Sequence, residues 1–295
     1  VKIDGRVVAV TGAGSGIGAA LAEEAAARNA AAVAVIDVDA DAAKAIADKI
    51  AAGGVPAAAF TCDVADVDAV ERVASEVVAA FGTPGLVCAN AGVSPEPAPL
   101  FDAEPDNLAW ALSVNVVGTW ATLRAFGRLM AAEPAPGWLL VTASEHALGV
   151  PFPGAGFYTA SKHAVLGMTD VLRRELPEHL GISTMVPGLA ATGLWRSGTL
   201  RPDGLGGPLP ESDMARALFS RGMDAGAVAA TALDGVAAER FLVATHGHAK
   251  SYSDAREADV AEAFAALSAA GGADVSYDVM AIIAELTSQQ AAAHE

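Results

Sequence analysis

Cysteine, aromatic side chains and positive charge are all in short supply in this chain. Two cysteines stand among 295 residues. Cys62 and Cys88 have neither metal-ligand spacing nor a partner motif, which argues against a disulfide scaffold or a structural zinc site and leaves free buried thiols as the expectation. Aromatics make up 5% of the chain. Alanine supplies much of the apolar content instead, which favours helices packed closely on a sheet. Lysine and arginine total 18 against 35 aspartates and glutamates, a net charge of -17. That balance argues against a nucleic-acid or anionic-membrane partner, because like charges repel, and its ordinary consequence is a well-solvated surface. No apolar run approaches the roughly 20 residues of a membrane span. The chain opens on a strand pattern without the charged start and apolar stretch of a secretory leader, so a cytoplasmic protein is expected. What is present in quantity is apolar residue: 53% of the chain, ample for a sizeable core.

Short apolar runs alternate with helix-like stretches from the first residues onward. Strands are predicted at 6–10, 32–36, 57–61, 86–89, 138–142, 182–186 and 240–244, with helices between them such as 16–28, 41–52 and 67–81. Each run is short, rich in Val or Ala and apolar on both faces, as a parallel sheet covered on both sides requires. The alternation predicts right-handed crossovers and an α/β doubly wound parallel sheet, a Rossmann fold. One domain is expected over 1–252, with an irregular substrate loop at 188–223. Glycines and prolines crowd 198–210 of that loop. Residues 253–295 read as an acidic, Ala-rich helical extension packed on or beside the domain, interrupted at Gly271-Gly272.

The first strand runs into Thr11-Gly12-Ala13-Gly14-Ser15-Gly16-Ile17-Gly18 and then a helical stretch. Glycines at a strand-to-helix turn let the backbone bend sharply and approach a pyrophosphate, and the helix behind offers free N–H groups at its positive end. The register starting at Gly14 also matches a dinucleotide fingerprint, but it begins late after the strand. Gly12, Gly16 and Gly18 form the working set, with Ser15 and Ile17 between them. Asp37 closes the second run, where a carboxylate accepts hydrogen bonds from an adenosine ribose. The same charge repels a 2′-phosphate, and Val38 follows with no cation close by, so NAD is expected rather than NADP. Asp39 reads as the start of the next helix.

Tyr158 and Lys162 stand four residues apart, which on a helix puts phenol and ammonium on one face. A free tyrosine, with a pKa of about 10, is a poor proton donor near neutrality, and a neighbouring ammonium favours its phenolate. Further short stretches recur in order: Asp63-Val64, Asn90-Ala91-Gly92, Asn115-Val116-Val117-Gly118, Ser144, and Pro187-Gly188 with Thr192 beyond. Together with the glycine loop they make residues 7–192 resemble a short-chain dehydrogenase/reductase.

That resemblance implies a catalytic set of Asn115, Ser144, Tyr158 and Lys162. Tyr158 would be the general acid/base, and Lys162 would bind the nicotinamide ribose and lower the tyrosine pKa. Ser144 would hold the substrate oxygen, and Asn115 the water of a proton relay. Asp63 and Val64 would meet the adenine, and Asn90, Ala91 and Gly92 would border the ribose. Pro187, Gly188, Leu189 and Thr192 would meet the carboxamide and pyrophosphate. The pattern is broken in two places. Glu145-His146 follows Ser144, giving a 14-residue spacing to Tyr158 that is expected to bulge. The segment after the seventh run reads Thr245-His246-Gly247-His248 in place of the usual ending. No cysteine or acid cluster accompanies the two histidines, so no metal is expected there.

Leu194, Trp195, Leu200, Leu205, Met214, Leu218, Phe219 and Met223 suggest a lid over an apolar pocket, with Phe152 and Phe157 as further wall. The expected substrate is a small molecule, a bulky, apolar or aromatic secondary alcohol or ketone. Arg196 and Arg201 leave a charged or carrier-bound substrate open. Reduction of a 3-oxoacyl thioester is an alternative opposed by Asp37, and a catalytically silent nucleotide sensor is opposed by the full catalytic set. Small residues on two long helical stretches, Gly118, Ala121 and Ala125 on one and Ala160, Ala164 and Gly167 on the other, predict a homodimer in preference to a tetramer.

Overall fold

The computed structural model describes residues 3–149, 152–269 and 277–292. Two compact units are found, Val1–Tyr252 and Ser253–Glu295. The first is built on seven strands: β1 (Val7–Thr11), β2 (Ala32–Asp37), β3 (Ala57–Thr61), β4 (Leu86–Ala89), β5 (Gly137–Thr142), β6 (Leu180–Val186) and β7 (Leu242–Ala244). All neighbours pair in parallel, in the order β3-β2-β1-β4-β5-β6-β7. The order reverses between β1 and β4, so the chain leaves the sheet in opposite directions there and opens a crevice at the strands' carboxyl ends.

The helices follow as α1 (Gly16–Ala27), α2 (Ala40–Ala52), α3 (Val67–Phe81), α4 (Pro105–Leu112), α5 (Thr119–Ala131), α6 (Gly156–Glu175), α7 (Asp213–Phe219), α8 (Ala225–Ala237), α9 (Lys250–Ala269) and α10 (Val279–Ala292). Strand residues alternate between two cores. Val8, Val10, Val33 and Leu140 meet Leu21 of α1, Ile50 of α2 and Leu233 of α8. Ala9, Ile36, Val87 and Leu139 meet Val73 and Val77 of α3, Phe126 of α5 and Val165 of α6. Alanines let these layers approach closely, as the composition suggests. Asp39 starts α2 by accepting from Ala42 N at 3.0 Å, and Asp66 does the same for α3.

The long helical stretch preceding β5 is split. Between α4 and α5, residues Ser113–Gly118 form a π-helical turn, with Asn115 inside it. β7 is shorter than the predicted 240–244. Glu239 has φ of 55° and Arg240 N bonds back to Gly235 O at 3.0 Å, so the ending of α8 consumes the strand's first residues. No helix among the described residues is long and apolar enough to cross a membrane. The second unit contains most of α9 and all of α10, with Val260, Phe264, Ile283 and Leu286 exposed. The Gly271-Gly272 interruption lies outside the described residues.

Candidate active site

A cleft of about 740 Å³ opens at the strand-order reversal, within the ~300–1,000 Å³ of small-molecule sites. It is lined from Asp37 at one end, past Gly12–Gly18, to Ser144, Tyr158 and Lys162. Its nucleotide end is shaped by backbone. Gly12 has φ of +64°, and a Cβ there would lie 2.7 Å from Ala91 Cα. A Cβ on Gly18 would lie 1.9 Å from Gly12 O, so no side chain fits where α1 meets β1. Gly16 lies against Thr192, with 3.1 Å from a built Cβ to the threonine. Asp37 Oδ2 accepts from Gly14 N at 2.8 Å and Oδ1 from Asp39 N at 3.0 Å, which orients the carboxylate and leaves further lone pairs free. Ser15 stands at the N-cap with no side-chain cap bond, its hydroxyl uncommitted to α1. A glycine cradle at a helix N-terminus with a fixed acid beside it fits a dinucleotide without a 2′-phosphate.

Asn90 ties three strand ends together. Its Nδ2 donates to Thr11 O at 3.1 Å and its Oδ1 accepts from Thr142 Oγ1 at 3.0 Å. Asp63 and Val64 line the cleft. Asp63 Oδ1 is engaged by Ala65 N at 2.9 Å, while Val64 packs so closely on Gly118 that a Cβ there would meet it at 2.6 Å. Ala91, Gly92, Pro187, Gly188 and Thr192 also line it. Leu189 does not. Its carbonyl accepts from Met223 N at 2.9 Å and lies 3.0 Å from His246 Nε2, turning the residue toward the neighbouring loop.

At the other end α6 brings Tyr158 and Lys162 to one face. Burial pushes the Tyr158 phenol up to about 12, with Glu145 adding to the rise and a hydrogen bond from Ser144 opposing it. Burial likewise lowers the Lys162 ammonium to about 8. Its Nζ donates to Thr142 O at 3.0 Å and stands 5.6 Å from the Tyr158 ring centre. Desolvation therefore outweighs the Ser144 hydrogen bond that favours the phenolate, and the phenol lies above its ordinary value rather than below it. Asn115 is fully buried behind the cleft. Its Oδ1 accepts from Val93 N at 2.7 Å, and its Nδ2 donates to Val93 O and Ser161 Oγ. Its side chain is thus engaged by protein partners, and its backbone carbonyl accepts from Thr119 Oγ1 at 2.8 Å.

His146 is buried, edge-on to Tyr158 and Phe152 with ring centres 5.1 and 5.4 Å away. Burial lowers its pKa to about 4. It packs against the Tyr158 ring and is absent from the cleft lining, as are Phe152 and Phe157. The turn Glu145–Ala147 is a short 3-10 helix. Residues 150 and 151 of the expected bulge lie outside the described residues.

The apolar wall is made by Leu194, Leu200, Leu205 and Phe219 from the loop, as predicted, and by Trp110, Val114 and Val93, which the sequence reading missed. Trp110 and Val114 lie one helical turn apart, the signal that could have flagged them. Met214 and Leu218 are exposed instead, and Trp195 is covered by Arg216 at 4.9 Å. Arg201 is not available to a substrate. It is buried and donates to Gly206 O, Gly207 O and Asn107 Oδ1. Arg196 does line the cleft.

The family model described as short chain dehydrogenase matches residues 6–201. Among curated proteins, the 2,5-dichloro-2,5-cyclohexadiene-1,4-diol dehydrogenase of Sphingobium indicum is 33% identical over 145 residues, 48% of this chain and 57% of that protein. The matched stretches span from 25% to 58% of the length of the curated relatives. A short chain dehydrogenase/reductase of Burkholderia phymatum in complex with NAD has a TM-score of 0.83 at 29% identity, covering 88% of this chain and 95% of that one. A short chain dehydrogenase of Burkholderia cenocepacia in complex with NADP has a TM-score of 0.69 at 28% identity, covering 85% and 100%.

Proposed function

The chain belongs to the short-chain dehydrogenase family, and on that premise we propose that it is an NAD-dependent oxidoreductase acting on a secondary alcohol or ketone. The observation that carries this reading is one continuous cleft holding Asp37, the glycine turn, Ser144, Tyr158 and Lys162. Residues 1–252 are proposed as the enzyme domain, with 188–223 as its substrate loop and 253–295 as a helical extension.

Bound NAD(H) supplies or accepts the hydride at substrate carbon. Tyr158 gives its proton to the substrate oxygen in reduction and takes it back in oxidation, while Ser144 holds that oxygen. Lys162, still largely cationic at neutral pH with its value near 8, attracts the nicotinamide ribose hydroxyls and stabilises the phenolate as charge develops. Asn115 acts as a positioning residue, fixing Val93 and Ser161. Asp37 holds the adenosine ribose, Asp63 and Val64 border the adenine, and Pro187, Gly188 and Thr192 enclose the nicotinamide end.

The wall of Trp110, Val114, Leu194, Leu200, Leu205 and Phe219 supports a bulky apolar or aromatic substrate, with Arg196 at its margin. A screen of ketones with NADH and of secondary alcohols with NAD, followed by NADH absorbance, tests the reading. Turnover of a cyclic or aromatic substrate is expected, and turnover confined to short polar substrates would overturn the substrate class.

A homodimer is proposed as well, on only part of the residue set that the sequence singled out. Ala121 and Ala125 face this chain's own core and Gly118 is pressed against Val64, so none of them is free for a partner. Val117 and Trp120 on one helix and Val171 on the other are exposed, and Ala160 and Gly167 on the second helix are exposed as well.

A further inference from the structure

The two sequence stretches that break the family pattern, Glu145-His146 and Thr245-His246-Gly247-His248, lie a hundred residues apart and meet at one glycine. Gly188 N donates to His246 Nδ1 at 3.1 Å, and Thr245 Oγ1 stands 2.8 Å from the same nitrogen. His246 Nε2 lies 3.0 Å from Leu189 O, which can only accept. This network assigns the ring proton to Nε2 and leaves Nδ1 the acceptor. One imidazole therefore satisfies an N–H and a carbonyl on consecutive residues of the loop. From the opposite side Glu145 N donates to Pro187 O at 2.9 Å.

The packing leaves no slack. A Cβ on Gly188 would stand 2.7 Å from Glu145 Oε2 and 2.9 Å from His246 Cγ. Glu145 Oε2, otherwise without a hydrogen-bond partner, lies 2.8 Å from His248 Nε2, and the His246 and His248 rings meet edge-on at 5.6 Å. The segment's far end is seated too, since a Cβ on Gly149 would lie 2.7 Å from Tyr252 O. Glu145 and His246 are both buried, and Gly188 itself lines the cleft.

We propose that His246 is a positioning residue for the nicotinamide end of the cofactor, holding the Gly188-Leu189 peptide in its binding geometry while the Glu145–His248 pair clamps the histidine's own segment. This rests on the dinucleotide reading above. A loop fixed before the ligand arrives spares the ordering entropy that a free loop loses on binding. The segment after β7 is then part of the cofactor site without touching the cofactor.

The test is titration of NADH into wild-type protein and into His246→Ala, His246→Asn and His246→Gln, read by calorimetry, with the melting temperature of each measured in parallel. Asn can place an oxygen where Nδ1 accepts from Gly188, and Gln a nitrogen where Nε2 donates to Leu189. Loss of both bonds in His246→Ala is expected to raise the NADH Kd by roughly 5- to 100-fold, and each amide variant by roughly 3- to 10-fold. With a substrate in hand, KM for the dinucleotide should rise more than kcat falls. If the alanine variant does not fold, the two amide variants decide. Folded variants that bind NADH like wild type would overturn the inference, whatever their melting temperatures, because a merely structural histidine changes stability alone. Wild-type protein that binds no NADH would instead overturn the proposed function and this inference with it.

Discussion

The two ends of the cleft are held by different means. At the nucleotide end the constraints are backbone ones: Gly12 turned to positive φ, Gly18 pressed on Gly12 O, and Asn90 stitching β1 to β5. At the substrate end an irregular loop is tied down by side chains. Arg201 gathers Gly206, Gly207 and Asn107, and Ser197 exchanges two hydrogen bonds with Ser94, at 3.0 and 3.1 Å. A backbone-built site changes little without losing the fold. A side-chain-built one can be altered residue by residue, which is how one scaffold serves many substrates.

Substitutions along the cleft can break this contrast or sharpen it. The largest effect is expected at the seam. Tyr158→Phe should lower turnover by about 10²–10⁴ while NADH binding stays within about twofold, because only the transferable proton is lost and the ring still packs. Near-normal kcat would remove Tyr158 from the chemistry. Gly18→Ala comes next. Its Cβ would collide with the Gly12 carbonyl at 1.9 Å, a rigid neighbour, so destabilisation of about 1–3 kcal/mol is expected, with weakened NADH binding. A variant with wild-type melting temperature and affinity would show that the nucleotide end is not backbone-locked.

Arg201→Met should raise the substrate KM by roughly tenfold, since loss of its bonds frees the loop, and should leave the NADH Kd nearly unchanged. Equal damage to both constants would erase the distinction between the two ends. The smallest effect on the cleft is expected from Trp120→Glu, on the exposed face of α5. It should convert a dimer to a monomer in light scattering, with substrate KM and NADH affinity little altered. Wild-type protein that scatters as a 29.5 kDa monomer would refute the helix-face contact.

The same contrast explains what could be read from the sequence. Strand number, alternation with helices and the glycine turn were legible because each follows from local rules: short runs apolar on both faces, as a sheet covered on both sides requires, and a sharp turn that only glycine can make. The roles that stayed hidden depend on partners far along the chain. Asn115 finds Val93 and Ser161, Arg201 finds Asn107, and His246 finds Gly188. No spacing rule connects those pairs. Alanines and glycine at 118, 121 and 125 misled for a related reason. Small residues permit close approach, but whether to a partner or to the chain's own β-sheet is decided by the orientation of the helix.

The central claim is a dinucleotide site in which Asp37 favours NAD. Its most direct test is calorimetric titration of the wild-type protein with NADH and with NADPH at equal ionic strength. The Asp37 carboxylate, fixed by Gly14 N and Asp39 N, should accept from the ribose hydroxyls and repel a 2′-phosphate. NADH is therefore expected to bind more tightly by at least about tenfold, equivalent to ~1.4 kcal/mol. Equal or tighter binding of NADPH, or no binding of either, would contradict the account.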